Sequence, residues 1–228
     1  MHRNVIILYG PPGSGKTTQA RLLGLRLHLF FFDTGRFLEE VVYDSGRKND
    51  PVIKRERKNF EEGRLITPSF VLKEIKQEIE TVSKIGMGIV FSGSPRTMFE
   101  AKGLIPFLEK LYGKKKIFVF RLDIPEEKSL ARNSKRLVCK ICESPLLVEY
   151  YPSKKPKHCP VCGGPFYRRS LDNVKVIKVR LKEYEERTTP IFDYLKKQGY
   201  AIKKINGQGA PYTIFNKIYG DIKKAKRN

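Results

Sequence analysis

The stretch Val5-Ile6-Ile7-Leu8-Tyr9-Gly10-Pro11-Pro12-Gly13-Ser14-Gly15-Lys16-Thr17 decides the fold of this chain. Its first five residues are a short apolar run, and Gly10, Gly15, Lys16 and Thr17 after it satisfy G-x-x-x-x-G-K-[ST]. That pattern carries meaning only between a strand and a helix. Both are present, since the apolar run reads as a buried strand and residues 16–27 read as a helix. Glycines let backbone amides approach an anion, and the helix N-terminus behind them adds a positive dipole. Lys16 is then placed to reach the β and γ phosphates of a bound triphosphate, and Thr17 to offer a hydroxyl to Mg²⁺. Such a loop identifies a ligand and leaves the reaction open, because several classes of phosphate- and sulfate-transferring enzymes use it.

Outward from the loop, residues 29–32, 89–92, 117–122 and 200–205 read as further buried strands, and residues 70–84 and 173–198 as amphipathic helices. Strands alternating with helices mean βαβ units and a parallel sheet. Runs such as 117–122, apolar with little alternation, fit strands buried on both faces. The expected fold class is therefore α/β, a P-loop parallel sheet flanked by helices. Two stretches break the rhythm: the charged 36–67 and the Pro-, Gly-, Cys- and Tyr-rich 137–170. Both read as insertions at the carboxyl ends of strands, where open α/β sheets bind ligands.

With 46 Lys and Arg against 24 Asp and Glu, the 228-residue chain carries a formal charge of +22. That excess favours polyanionic ligands, although a solvated lysine surface accounts for it equally well. Only five apolar residues follow Met1-His2-Arg3-Asn4, which is a strand rather than a secretory segment, and no window reaches membrane-spanning length. The chain is expected to be cytoplasmic.

All four cysteines fall in two C-x-x-C knuckles, Cys139–Cys142 and Cys159–Cys162, with sixteen residues between them. This is the spacing of a tetrahedral zinc ribbon. A redox dithiol is the rival reading, but it uses a single such motif near the start of a βαβ unit. A structural zinc would replace the core that so short an insertion cannot build. His158 beside Cys159 is a further nitrogen ligand by type, and an exposed bystander by the same count.

The segments GPPGSGKTTQA (10–20), DTGRFLEEVV (33–42), EEGRLITPSFV (61–71), GSPRTMFEA (93–101), ARNSKRLVC (131–139), RRSLDNVKVIKVRL (168–181) and TTPIFDYLKKQGY (188–200), taken in order, resemble the adenylate kinase family in its long-lid, zinc-containing form. The resemblance implies reversible transfer of the ATP γ-phosphoryl to AMP. It implies a core of residues 1–33, 68–135 and 171–228, a helical nucleoside-monophosphate-binding insertion at 34–67 and a zinc-ribbon lid at 136–170. By the same resemblance Gly10, Gly13, Gly15, Lys16, Thr17, Thr18, Arg132, Arg136 and Gly207 bind ATP. Thr34, Gly35, Arg36, Arg64, Ile66, Gly93, Arg96 and Glu100 bind the acceptor. Lys16, Arg96, Arg136, Arg169 and Arg180 act on the transferring group, and Asp172 holds the lid arginines. Arg132 and Arg136, four apart, are expected on one face of a helix beginning near Pro125. Arginines around a phosphoryl group suit a reaction that needs positioning and charge neutralisation more than covalent chemistry.

The chain departs from the family pattern at Thr17, Arg36, Glu39, Ser92 and Glu100, where the family usually has Gly, Asp, Arg, Asp and Gln. Mg²⁺ then needs another arrangement, with Thr17 and Asp33 the nearest groups, and Arg36 is expected to replace the cation lost at Glu39. A carboxylate at Glu100 only accepts hydrogen bonds, which favours a base with an exocyclic amino group: adenine first, cytosine as the competitor. A different class of reading is a nucleotide- and nucleic-acid-binding relative with weakened catalysis, drawing on Lys154, Lys155 and Lys157 beside Tyr150 and Tyr151 and on the basic C-terminal segment. The resemblance also implies a monomer.

Overall fold

The computed structural model describes residues 3–146 and 156–225. Five strands, β1 (Val5–Tyr9), β2 (Phe30–Asp33), β3 (Ile89–Ser92), β4 (Ile117–Asp123) and β8 (Ile202–Asn206), form one parallel sheet in the order β2-β3-β1-β4-β8. The P-loop leaves the carboxyl end of β1, the central strand, and Ser92 and Asp33 end the two strands to one side of it in register with each other.

Strand β1 explains why a run with no polar residue is needed. Val5, Ile7 and Tyr9 face one core layer with Ile75, Ile79, Leu104 and Leu108, while Ile6 and Leu8 face another with Leu23, Ile214 and Ile218. The first layer is built by α4 (Pro68–Lys84), α5 (Met98–Tyr112) and α8 (Ile191–Lys197), the second by α1 (Lys16–Leu27) and α9 (Pro211–Ala225). In α9 the buried residues Ile214, Ile218 and Ile222 recur every four positions, the stripe of an amphipathic helix.

The strands expected at 29–32 and 200–205 begin later, at Phe30 and Ile202. His28 ends α1 in a left-handed conformation and Gly199 turns at φ +80°, so the chain has not yet straightened at the positions first expected. Residues 173–198 are not one helix. Helix α7 (Val174–Glu183) widens into a π-helical turn, with Thr189 N–H donating to Tyr184 O, before α8. Pro190 supplies the reason: it cannot donate, and its ring crowds the preceding turn.

Between β2 and α4 lie α2 (Thr34–Val42) and α3 (Pro51–Glu61). Both start on aspartate caps: Asp33 accepts from the amides of Gly35 and Arg36, and Asp50 from that of Val52 before a proline in the first turn. After α6 (Glu126–Ser134) come the short antiparallel strands β5 (Leu137–Cys139), β6 (Pro145–Leu146) and β7 (Phe166–Tyr167), in the order β6-β5-β7. No helix among the described residues is long and apolar enough to cross a membrane.

Candidate active site

The sheet's carboxyl end opens into a cavity of about 700 Å³ lined by the P-loop, α2 and the segments around Arg96, Arg136, Arg169 and Arg180. The loop's glycines are sterically required. A Cβ at Gly10 would lie 2.6 Å from Ser14 Oγ, and one at Gly13 would lie 2.6 Å from Asn133 Nδ2. Gly15, at φ 91°, starts α1 with no side-chain cap, so nothing in its own side chain competes for the first amides of the helix. Ser129 Oγ donates to Pro12 O at 2.6 Å, tying the loop to α6.

Lys16 Nζ donates to Gly10 O at 2.6 Å and Pro11 O at 2.8 Å. Burial, then the positive charges of Arg96 and Arg180, hold its pKa well below the usual lysine range. Arg180 is pushed down to about 9 by burial and by Arg136, Arg96 and Arg169. Arg96 is lowered as well, chiefly by burial. Arg180 Nη1 and Arg169 Nε are buried with no hydrogen-bond partner among the described residues. A site that crowds cations and leaves their N–H groups unpaired is built for an anion.

Arg132 and Arg136 do not share a helix face. Helix α6 ends at Ser134, and Arg136 lies beyond its C-cap, Lys135. Arg132 Nη1 donates to Gly207 O at 2.8 Å, while Arg136 turns the other way and grips Asp172 with two hydrogen bonds, the one from Nε at 2.8 Å. Asp172 is thus the group that fixes a cavity arginine, in a bidentate geometry that specifies its orientation. Gly207 sits where a Cβ would lie 2.9 Å from Ile124 Cγ2.

Thr17 Oγ1 lies 3.2 Å from Asp33 Oδ2 and 3.0 Å from Ser92 Oγ. Three hard oxygen donors thus meet beside the P-loop, the donor type that Mg²⁺ takes together with phosphate oxygens. Asp33 does double duty, since its other oxygen caps α2.

A second, smaller cavity of about 30 Å³ adjoins the first, lined among others by Thr34, Gly35, Arg64, Ile66, Arg96 and Glu100. Gly93 lines the larger one, and its missing Cβ makes room for Arg96, whose Nε donates to Gly93 O at 2.5 Å. Arg64 pairs with Glu62. Glu100 is buried, accepting from the Arg96 amide at 2.8 Å and from Thr97 Oγ1 at 3.0 Å, while its own amide donates to Thr97 Oγ1. Thr97 thus caps α5 while Glu100 reaches back to the amide just before the cap, a variant of the capping box and a duty legible in the sequence but not assigned from it. Burial raises the Glu100 pKa and these hydrogen bonds oppose the rise. Arg36 is not left over for a phosphate: its guanidinium pairs with Glu40 at 2.8 Å and with Glu143.

Two supporting residues escaped sequence reading. Thr188, on the π-helical turn, donates from Oγ1 to Arg96 O at 2.8 Å, so Arg96 is held through its amide by Glu100 and through its carbonyl by Thr188. Glu56 of α3, its side chain fully buried, accepts from Thr67 N at 2.8 Å and Thr67 Oγ1 at 2.6 Å, and from Arg55 and Asn59. Burial alone would raise its pKa, but these hydrogen bonds lower it from 4.5. A lowered carboxyl stabilises the fold above its unfolded pKa and loses that contribution as pH falls through its folded one. Glu56→Gln is expected to cost about 2 kcal/mol near neutral pH, the loss of charged hydrogen bonds. Denaturant titrations of both proteins should converge in acid below the lowered pKa.

The four cysteine sulfurs all lie within 4.8 Å of one another, Cys139 to Cys162 at 3.4 Å and Cys142 to Cys159 at 3.6 Å. Four thiolates about 2.3 Å from a tetrahedral zinc stand about 3.8 Å apart, so the cluster fits the ion. The amides of Ile141 and Val161 donate to Cys139 Sγ and Cys159 Sγ, orienting each knuckle from behind. Of the basic and aromatic group weighed for nucleic acid, Tyr150, Tyr151, Lys154 and Lys155 lie outside the described residues, as do the last three of the C-terminal segment; Lys157 is exposed.

The adenylate kinase family model matches residues 8–200 of this chain. An adenylate kinase of Methanothrix thermoacetophila is 36% identical over 93% of this chain and 95% of its own length. One of Caldicellulosiruptor bescii is 35% identical over 86% and 89%, and one of Archaeoglobus fulgidus 30% identical over 97% and 99%. The P-loop on the central strand, the arginines gathered around the cavity and these end-to-end likenesses agree, and the chain belongs to the adenylate kinase family, enzymes that transfer phosphoryl groups between ATP and a nucleoside monophosphate.

Proposed function

We propose that this chain catalyses ATP + AMP = 2 ADP, reversibly and with Mg²⁺. The observation that carries the reading is the position of Lys16, Arg96, Arg136, Arg169 and Arg180 around one cavity, with the P-loop on one side and the Glu100 pocket on the other. In this reading the P-loop amides and Lys16 bind the β and γ phosphates of ATP, with Thr18 at the start of α1, and Arg132 and Gly207 border the donor base. Thr34, Gly35, Arg64, Ile66, Gly93 and Arg96 hold the acceptor, whose phosphate Arg96 orients. Arg136, Arg169 and Arg180 neutralise charge on the group in flight and Asp172 keeps Arg136 aligned, which is the greater part of what such a reaction asks of a protein. Thr17, Ser92 and Asp33 would hold Mg²⁺. Bound there, a divalent cation would supply positive charge to offset that of the phosphates. Residues 136–170 act as the lid, stiffened by zinc on the four cysteines, and exclude water so that the phosphoryl group goes to the acceptor. The residues 34–67 form the acceptor-binding domain and the remainder the core. The reading takes the protein as a cytoplasmic monomer.

The Glu100 carboxylate favours AMP. Each of its oxygens already accepts one hydrogen bond, and each has a lone pair left for an exocyclic amino group. A coupled assay with ATP and each of AMP, CMP, UMP, GMP and dTMP is the test. AMP should give the highest kcat/KM and CMP the next; a faster reaction with UMP or GMP overturns the assignment of Glu100. No product with any acceptor, together with tight, salt-sensitive RNA binding, overturns the kinase reading in favour of a nucleic-acid-binding relative.

A further inference from the structure

Two ion pairs join helix α2 to the second insertion, and both use residues at which the chain departs from its family's pattern. Glu39 Oε2 accepts from Arg169 Nη2 at 2.8 Å, across 130 residues of sequence, at the edge of the phosphate cavity that both side chains line. One turn earlier on the same helix, Arg36 pairs with Glu143, beside the first cysteine knuckle. Positions three apart share a helix face. Helix α2 thus presents a cation and then an anion, and the second insertion answers with an anion and then a cation. Any slip in register brings like charges together, so the crossed pairs select one relative placement of the two insertions.

The Arg169 end of this arrangement is where chemistry is at stake. Arg169 Nε is buried with no hydrogen-bond partner among the described residues, while Nη2 is tethered to Glu39. One edge of the guanidinium is therefore fixed by protein and another is free for a phosphate oxygen, which is how a planar fork is held ready. We propose that Glu39 is a positioning residue: from α2 it holds the Arg169 guanidinium over the phosphate cavity and so registers the second insertion on the first when the site closes. The inference rests on the reading of Arg169 as a group that meets the transferring phosphoryl.

It also reverses an expectation. If Glu39 were simply a missing acceptor clamp, Glu39→Arg would improve the enzyme. With Arg169 opposite, that substitution sets two cations against each other and should do more harm than Glu39→Gln. Glu39→Gln should lower kcat about tenfold, the scale of one charged hydrogen bond, while leaving KM for the acceptor unchanged or lower, since a carboxylate leaves a phosphate-binding cavity. Glu39→Arg should lower kcat further, and Glu39→Asp should recover part of the loss. Hydrogen–deuterium exchange of the nucleotide-free full chain provides a readout without turnover: Glu39→Gln should speed exchange in peptides covering 166–172 and leave strands β1 and β3 protected. A higher kcat/KM in Glu39→Arg, or a kcat in Glu39→Gln within twofold of wild type, overturns the proposal, as does faster exchange throughout the chain. Should the wild type transfer no phosphoryl group, the kinase reading falls, and the exchange result alone decides whether Glu39 holds Arg169.

Discussion

Lys16→Ala should lower kcat/KM for phosphoryl transfer by about a thousandfold or more, the scale on which a single preorganised charge acts in such sites. The native Nζ spans the P-loop, bonded to Gly10 O and Pro11 O, and burial with Arg96 and Arg180 nearby weakens its hold on the proton. That cost is what makes it effective, because a bound triphosphate is the counter-charge it lacks. Its lowered pKa and that of Arg180 mean that the nucleotide-free site binds fewer protons than the unfolded chain at alkaline pH. By linkage these groups make stability rise with pH there, and polyphosphate binding should draw protons in. The alanine variant should keep a cooperative melt, since no apolar contact is lost and one crowded cation is removed. Steady-state kinetics with a thermal melt of the same preparation checks both halves; retained turnover with an intact fold would remove Lys16 from the phosphate site.

How much of this was legible depends on how far apart in sequence the participants lie. The P-loop is a local device, and its glycines, lysine and flanking strand are adjacent in the chain, so residues 5–17 identified both the fold class and the anion. The cysteine knuckles are legible for the same reason. The wrong expectation at Arg136 came from extending α6 by periodicity alone. The helix stops at Ser134, where the following segment must turn to enter β5, and Arg136 is claimed by Asp172, 36 residues away. Glu39 could be recognised as unusual but not explained, because its partner is 130 residues distant. Arg36 looked like a spare cation on the strength of one helix face, and the residue that takes it, Glu143, sits on another insertion. Glu100 was read only for its outward chemistry; Thr97 three residues before it marked its inward role as well. Local patterns report what a segment is able to bind, and only the packed chain reports which of its charges are already spoken for.

Removing zinc should have the other large effect. Strands β5, β6 and β7 contain only three, two and two residues, and the buried apolar groups among them are few, Val138 and Leu146 with Cys139 and Cys159. Such a sheet has too little core to order a segment of this length, since each residue fixed costs about 1–2 kcal/mol of backbone entropy. Four sulfurs clustered within 4.8 Å replace that core only when a metal neutralises and binds them. The protein as purified should therefore contain about one zinc per chain, bound by Cys139, Cys142, Cys159 and Cys162. A strong chelator should raise exchange selectively in 137–146 and 156–170 and lower the melting temperature. It should also cut turnover well over tenfold, because Arg136 and Arg169 are anchored at the two ends of this segment and lose their aim with it. Cys142→Ser with Cys159→Ser should reproduce all three changes without chelator. Less than about half an equivalent of metal, together with unchanged melting, would mean that the cluster is held by the protein alone and that the lid owes its shape to something other than zinc.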